Sequence, residues 1–393
     1  MTRSRIDDMI CRQEGLTALN EEAIRLVQLK KLNGLLRREH ERGGFYAGLP
    51  ERLHSLDELA SLPFTTDEDL AHHAAGMLLV SQSEIQRVLS DATSGTTGAT
   101  KRVFYTKADC EHTVGLFMAG LGELVYPGSV TMICMPFSGA YGLGELLAEA
   151  ITRLGAKPLK LGADKSYGEL RAVIEAERPD TFVGMPVQLL SILRYNGRGS
   201  LRRALVSADA CPASVMRACE SILGSRLFPH YGSREMALGG AISCSAHEGM
   251  HLRENHVIAE IVDDAGKPLP KGETGELVIT TIGMEAMPLI RYRTGDYTRI
   301  LPEPCPCGSP VLRLDTLRRR DSRMLTLDDT LFGSSGLLDY RVDERGNVFA
   351  LTDGTVTEAD LRSRAELGTV TIKIAGDSDR ALYTGKRRIL PTI

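Results

Sequence analysis

An α/β fold built on a largely parallel sheet is what this sequence predicts, and three observations predict it. From about Val103 to Pro229, short apolar runs alternate with helical patterns: VTMICMP, GLGELLAEAITRLG, PLKLG, GELRAVIEAERP, TFVGMP and VQLLSILRY. Runs that are apolar throughout suit strands covered on both faces, and such sheets carry ligand-binding turns at the carboxyl ends of their strands. After His256 the texture changes to AEIVDDAGKPLPKGETGELVITTIG, two β-rich runs joined by the turn-rich stretch from Asp264 to Gly275, which predicts a hairpin-bearing β subdomain. From about Asp321 the last 73 residues carry charge, glycine and two weak strand patterns, NVFALT and GTVTIKIAG, enough for a small α+β unit. The predicted organisation is a large N-terminal domain, 1–320, of mostly parallel sheets flanked by helices plus the β subdomain, and a small α+β C-terminal cap, 321–393.

The N-terminal elements follow from periodicity and capping. Between Asn20 and His40, Ile24, Val27, Leu32 and Leu35 share one arc with most charges elsewhere, an amphipathic helix that serves as scaffold. HSLDELASLPFTTDEDLAHH reads as a short helix, a break at Pro63, and a new helix capped by Thr65 or Thr66.

Composition narrows the function classes. With 393 residues, 42% hydrophobic and 25% charged, the chain can bury one or two sizeable cores. Lys plus Arg 47 against Asp plus Glu 51 gives a net charge of −4, which argues against nucleic acid as the main partner and leaves a phosphate-bearing small molecule open. No run approaches the roughly 20 apolar residues that cross a bilayer, and MTRSRIDDMI is acidic where a signal peptide is apolar, so a soluble cytoplasmic protein is expected, with no membrane partner.

Eight cysteines are too sparse for a disulfide-stapled domain. Cys11, Cys110, Cys134, Cys211 and Cys219 read as buried small hydrophobes. Cys244 lies seven residues before His251 in CSAHEGMHL, and Cys305 and Cys307 flank Pro306 in CPCG. Three sulfurs and one imidazole make a closed tetrahedral set of the kind that holds a structural Zn²⁺, with His247 as the rival nitrogen and simple reduced cysteines beside a turn as the bland alternative. No H-E-x-x-H string supports a zinc hydrolase.

The most informative string is TSGTTGATK, residues Thr93 to Lys101. Gly95 and Gly98 permit torsions that let successive amides converge on one anion, Thr93, Ser94, Thr96 and Thr97 offer hydroxyls, and Lys101 adds a charge. A triphosphate fits that description. The spacing is not that of the Walker loop, and composition alone leaves a hydroxyl-rich turn between strands as an even alternative.

TSGTTGATK resembles the phosphate loop of the adenylate-forming superfamily. Four further strings in the right order, SLPFTTDEDL, HYGSREM, GETGELVITTIGMEAMPLIRYRTGD and PCPCG, resemble the phenylacetate-CoA ligase branch. The resemblance covers roughly Ser61 to Asp321 and extends weakly beyond. It implies that Tyr231, followed by Gly232, stacks on adenine; that Glu235 helps hold Mg²⁺ between the ATP phosphates and a carboxylate; and that Asp296 grips the ribose hydroxyls. Ser207, Ala208 and Asp209 match the branch's adenine-contacting stretch approximately. Arg319 and Asp321 resemble the hinge into a mobile cap, with Arg318 where the family has glycine, and Lys386 in YTGKRRIL resembles the lysine that neutralises charge during adenylation. A terminal Lys-Arg-Arg cluster read without the family is a solvated one. Phe137, Gly139, Ala140 and Tyr141 stand where the family forms its acid pocket, and an aromatic, glycine-lined wall suits a flat acid.

The function this implies is ATP-dependent, AMP-forming activation of a carboxylic acid, aryl or arylacetic, to an acyl-adenylate, followed by transfer to coenzyme A. Transfer to a carrier protein or an amine, or a non-catalytic nucleotide-binding relative, are the alternatives, because the cap is short and TLDDTLFGSSGLLDY replaces the string expected after the hinge. The implied cofactors are ATP, Mg²⁺, structural Zn²⁺ and coenzyme A; a homodimer stays open.

Overall fold

A computed structural model describes residues 4–92 and 100–391. The chain divides into two compact units, 1–120 with 231–320 and 121–230 with 321–393.

In the unit 121–230 with 321–393, strands Val130–Cys134, Lys157–Lys160, Thr181–Gly184, Arg203–Val206 and Phe228–Tyr231 run parallel. Their order is Phe228–Tyr231, Arg203–Val206, Thr181–Gly184, Val130–Cys134, Lys157–Lys160, so the most apolar runs are central and the lysine-bearing one is at the edge. Thr181–Gly184 is buried at every position, as its apolar sequence requires, whereas Lys157–Lys160 is not. Helices Leu143–Arg153, Tyr167–Glu177, Pro186–Asn196 and Ala213–Leu223 form the crossovers. Pro186 opens its helix at the position where a missing N–H costs nothing, and Ser166 with Glu169 closes a capping box on another.

Residues 321–393 supply helix Arg323–Leu331 and a three-stranded sheet. Leu337–Val342 pairs antiparallel with Val348–Thr352, which pairs parallel with Val370–Ile374. The last two are the strand patterns read from sequence; the first was not foreseen. The segment shares an apolar core with 121–230: Phe332, Leu337 and Tyr340 join Met132, Phe182 and Leu190 in one cluster. Arg194 donates to the Leu337 carbonyl at 2.5 Å and the Phe332 carbonyl at 2.9 Å, closing the seam.

In the unit 1–120 with 231–320, the scaffold helix is Glu21–Arg42, its first amides capped by Asn20. Thr66, not Thr65, caps helix Asp67–His73, in a reciprocal box with Asp69. Strands Ile85–Ala92 and Thr100–Thr106 pair antiparallel and bracket the glycine-rich string. Ile258–Val262 and Gly275–Thr280 form the expected hairpin, extended by Tyr292–Thr298 and Arg318–Arg319 into a four-stranded antiparallel sheet. Among the described residues no helix is long and apolar enough to cross a membrane.

Candidate active site and metal centre

Within the unit 1–120 with 231–320, strand Tyr292–Thr298 carries two of the functional side chains. Its register slips between Glu276 and Val278 of the neighbouring strand. Gly295 sits there with φ +68, a torsion a side chain resists, and its amide donates to Glu276 Oε1 at 3.1 Å. The bulge turns Asp296 to meet Tyr231, whose hydroxyl donates to Asp296 Oδ2 at 2.9 Å. Arg319, directly opposite on the paired strand, reaches Asp296 Oδ1 with Nε at 2.9 Å. Tyr231, Asp296 and Arg319, three separate expectations, thus meet at one carboxylate. Burial, then the nearby Asp296, pushes the Tyr231 phenol well above its ordinary value, so it stays a donor.

Glu235 sits on the short 3-10 turn Arg234–Met236 and is buried. Its ion-pair partner is Lys101. The Lys101 ammonium also touches Asp67 Oδ1 at 2.8 Å and the Tyr292 hydroxyl at 2.6 Å, and that hydroxyl donates to Asp67. Burial pushes the Glu235 carboxyl up, but Lys101 outweighs it and the group lies below the usual carboxylate range. Lys101 is likewise opposed by burial and raised by Glu235 and Asp67, so the pair is fully charged. A charged carboxylate beside a cation is the chemistry that a divalent ion and phosphates exchange into. Burial is the main cause that raises the phenols of Tyr231 and Tyr292, and the Glu235 charge adds to both.

Thr93, Ser94, Gly95, Thr96, Thr97 and Gly98 lie outside the described residues. Asp67 and Tyr292 were not singled out from sequence, although both stand inside strings that carried the resemblance, SLPFTTDEDL and RYRTGD.

The cysteine set comes together in the same unit. The ligand atoms of Cys244, His251, Cys305 and Cys307 all lie within 4.8 Å of one another, and three of the four residues are buried. His247, the rival nitrogen, is not among them. Zn–S bonds of about 2.3 Å in a tetrahedron set sulfur–sulfur edges of about 3.8 Å. Here Cys244 and Cys305 sulfurs are 3.7 Å apart, and Cys307 Sγ is 3.4 Å from His251 Nε2. His251 Nδ1 faces the Val311 carbonyl at 3.3 Å, a partner that leaves Nε2 turned toward the sulfurs. The donor set fits Zn²⁺, closed and without a position for substrate.

Apart from Gly232, which follows Tyr231 in the unit 1–120 with 231–320, the remaining predicted residues belong to the unit 121–230 with 321–393. Ser207, Ala208 and Asp209 follow the carboxyl end of strand Arg203–Val206, as a parallel sheet places a ligand loop. Ser207 Oγ bonds His230 Nδ1 at 2.7 Å, Ala208 is left-handed at φ +68, and Asp209 Oδ2 accepts from the Arg387 amide at 3.1 Å. Phe137 lines an open groove of about 620 Å³ with Pro136, Glu145, Lys160, Asp164 and Thr384. Gly139, Ala140 and Tyr141 follow on the same loop without lining that groove. The ring is pressed against the next helix, so that a Cβ added at Gly144 would meet it at 2.8 Å. Lys386 is exposed, and its neighbour Arg387 is buried.

Comparison with known proteins gives a consistent answer. Residues 91–286 match the AMP-binding enzyme family. The chain is 31% identical over 341 residues to the phenylacetate-coenzyme A ligase of Thermus thermophilus, covering 80% of this chain and 74% of that protein. It is 28% identical to the phenylacetate-coenzyme A ligase of Escherichia coli K12, over 78% of this chain and 73% of that one. A crystal structure of 2-hydroxyisobutyryl-CoA ligase in the postadenylation state has the same fold, with TM-score 0.76 at 18% identity, covering 95% of this chain and 90% of that one.

Proposed function

We infer the activity from one premise: the chain belongs to the phenylacetate-coenzyme A ligase family of AMP-binding enzymes. It is an AMP-forming acid–CoA ligase that uses ATP to convert a carboxylic acid to an acyl-adenylate and passes the acyl group to coenzyme A. The observation that carries the reading to particular residues is the meeting of Tyr231, Asp296 and Arg319 at one carboxylate, in the same unit as the Glu235–Lys101 ion pair.

In the first half-reaction a carboxylate oxygen attacks the α-phosphorus of ATP, the bond to the β-phosphate oxygen breaks, and pyrophosphate leaves. Asp296 accepts from the ribose hydroxyls, because an ionised carboxylate offers two acceptor oxygens, and Arg319 and Tyr231 fix its plane. Tyr231 gives the adenine a flat face. Lys101 is drawn to the phosphates and lowers the cost of bringing an anionic nucleophile to an anionic centre. Glu235 is the residue that would hold Mg²⁺, which when bound would screen the phosphate charge. In the second half-reaction the thiolate sulfur of coenzyme A attacks the acyl carbon and AMP leaves.

The aryl or arylacetic nature of the acid is the finer part of this proposal, supported by the Phe137 ring at the groove. Lys386 acts on the carboxylate and α-phosphate from the C-terminal segment. Cys244, His251, Cys305 and Cys307 would hold a structural Zn²⁺, which would tie the stretch after Glu235 to the stretch after Asp296. Eight cysteines without a disulfide among them accord with a reducing, cytoplasmic setting.

The test is acid-dependent exchange of labelled pyrophosphate into ATP across a panel of aryl and aliphatic acids, followed by addition of coenzyme A. Label appearing with aryl acids and thioester forming on addition of the thiol is the expected outcome. No label with any acid in the panel sinks the reading.

A further inference from the structure

Lys101 has more partners than a phosphate-binding lysine needs. Its ammonium offers three N–H donors, and Glu235, Asp67 and the Tyr292 hydroxyl take all three. The partners are not equivalent. Glu235 is buried, and Tyr292 is a strand residue with 1% of its surface exposed. Asp67 is the first residue of its helix, with 63% of its side chain in water. Its backbone does not wander, because the Thr66–Asp69 capping box fixes the helix start: Thr66 N donates to Asp69 Oδ2 at 2.8 Å. Its carboxylate is aimed by the Tyr292 hydroxyl.

A nucleotide triphosphate that draws on Lys101 enters a site where Asp67 already places a negative charge. Of the two carboxylates on the ammonium, Asp67 is the solvated one, so it is the contact given up at least cost. A carboxylate in this position opposes nucleotide by competing for the same cation.

We propose that Asp67 is an electrostatic latch: a positioning residue that, with Tyr292, holds the Lys101 ammonium beside Glu235 until phosphate takes it, and that thereby sets the affinity for ATP. The proposal rests on the reading that Lys101 serves the ATP phosphates. Its sign is unusual, since neutralising an acidic residue at the edge of the site tightens substrate.

The experiment is a double-mutant cycle on the full-length chain, reading the dissociation constant for MgATP by calorimetry and the KM and kcat of acid-dependent pyrophosphate exchange. Asp67→Asn keeps the shape and a Tyr292 acceptor while removing the charge. It should lower Kd and KM for MgATP about two- to fivefold, the worth of a solvent-exposed ion pair, with kcat unchanged. Lys101→Met should weaken MgATP by on the order of ten- to a hundredfold, the loss of a charge-assisted contact. In the Lys101→Met background the gain from Asp67→Asn should vanish, because the latch acts through Lys101. A gain that persists there reports general repulsion and overturns the latch. So does an Asp67→Asn protein that binds MgATP as before or more weakly, and in those cases the Lys101 assignment stands. If Lys101→Met leaves MgATP binding untouched, the phosphate assignment itself fails and the latch with it. Asp67→Ser, with a residue equally at ease in a first helical turn, repeats the measurement independently of any folding defect.

Discussion

The Arg387 guanidinium and the Lys101 ammonium each bridge two carboxylates, one in each compact unit, and the way they do so separates architecture from exchangeable chemistry. Arg387 reaches Asp328 with Nε at 3.1 Å, Asp339 with Nη1, and the Tyr340 carbonyl with Nη2 at 3.2 Å. All three charged side chains are at most 4% exposed. The guanidinium also stacks near Tyr383 at 4.7 Å and Tyr340 at 4.8 Å from the ring centroids. A planar fork with five donors, packed between rings, leaves no direction in which to move. Lys101 is a point charge on a flexible stem, and one of its two carboxylates, Asp67, faces water. The first arrangement holds a core together; the second can trade partners.

The largest effect should come from breaking the sealed pair. Arg387→Met leaves Asp328 and Asp339 buried without a counter-charge and should cost about 3–5 kcal/mol in denaturant-monitored unfolding. Lys101→Met strands only one buried carboxylate, Glu235, while Asp67 stays in water, and should cost clearly less than Arg387→Met in the same assay. Equal losses for the two would erase the distinction. Next in size, Glu235→Gln should slow pyrophosphate exchange by roughly 10²- to 10³-fold, the scale of one removed electrostatic group, while the unfolding midpoint stays near that of the parent. A large drop in stability together with rate would place Glu235 with Arg387 rather than with Lys101.

How much of this contrast was legible in the sequence depends on range. The parallel strands were readable because their apolar runs are continuous, and the hairpin Ile258–Thr280 because its turn chemistry is local. Tyr231, Glu235, Asp296 and Arg319 were named from motif order, and the structure assembles Tyr231, Asp296 and Arg319 at a single carboxylate. The metal set was readable down to the choice of His251 over His247 as the lead nitrogen. Asp67 and Tyr292 stand inside the matching strings without standing out from them, since nothing in a one-dimensional pattern says that a helix start and a strand 225 residues apart share a hydrogen bond. Arg387 was lost for the same reason. YTGKRRIL reads as solvated charge, and only partners 59 and 48 residues earlier decide that the middle cation turns inward. Strand Leu337–Val342 was missed because the Gly-Ser stretch before it reads as loop, while its burial is imposed by the helix Pro186–Asn196 packed on it.

The smallest of the three effects sharpens the comparison from the backbone side. The Arg387 amide donates to Asp209 Oδ2, and the Ala210 amide donates to Asp209 Oδ1 at 2.9 Å. Burial pushes this carboxyl up from 3.8 to about 6, the two amides opposing the shift without cancelling it. Between about pH 4 and 6 the native state therefore binds a proton that the unfolded chain has released. The group's contribution to stability is greatest below its unfolded pKa and is lost as pH rises through its native one. A displacement of about two units corresponds to about 3 kcal/mol between those limits. Asp209→Asn, which cannot ionise, should flatten that part of the stability–pH curve and stabilise the protein at pH 7 relative to the parent, measured by urea unfolding from pH 4 to 8. The Lys101 cluster should give no matching trend, because burial of Glu235 is outweighed by its ammonium partner and the carboxyl lies low. An unchanged slope in Asp209→Asn would mean that the Arg387 amide compensates the buried charge fully, and that the sealed network extends one residue further than its side chains indicate.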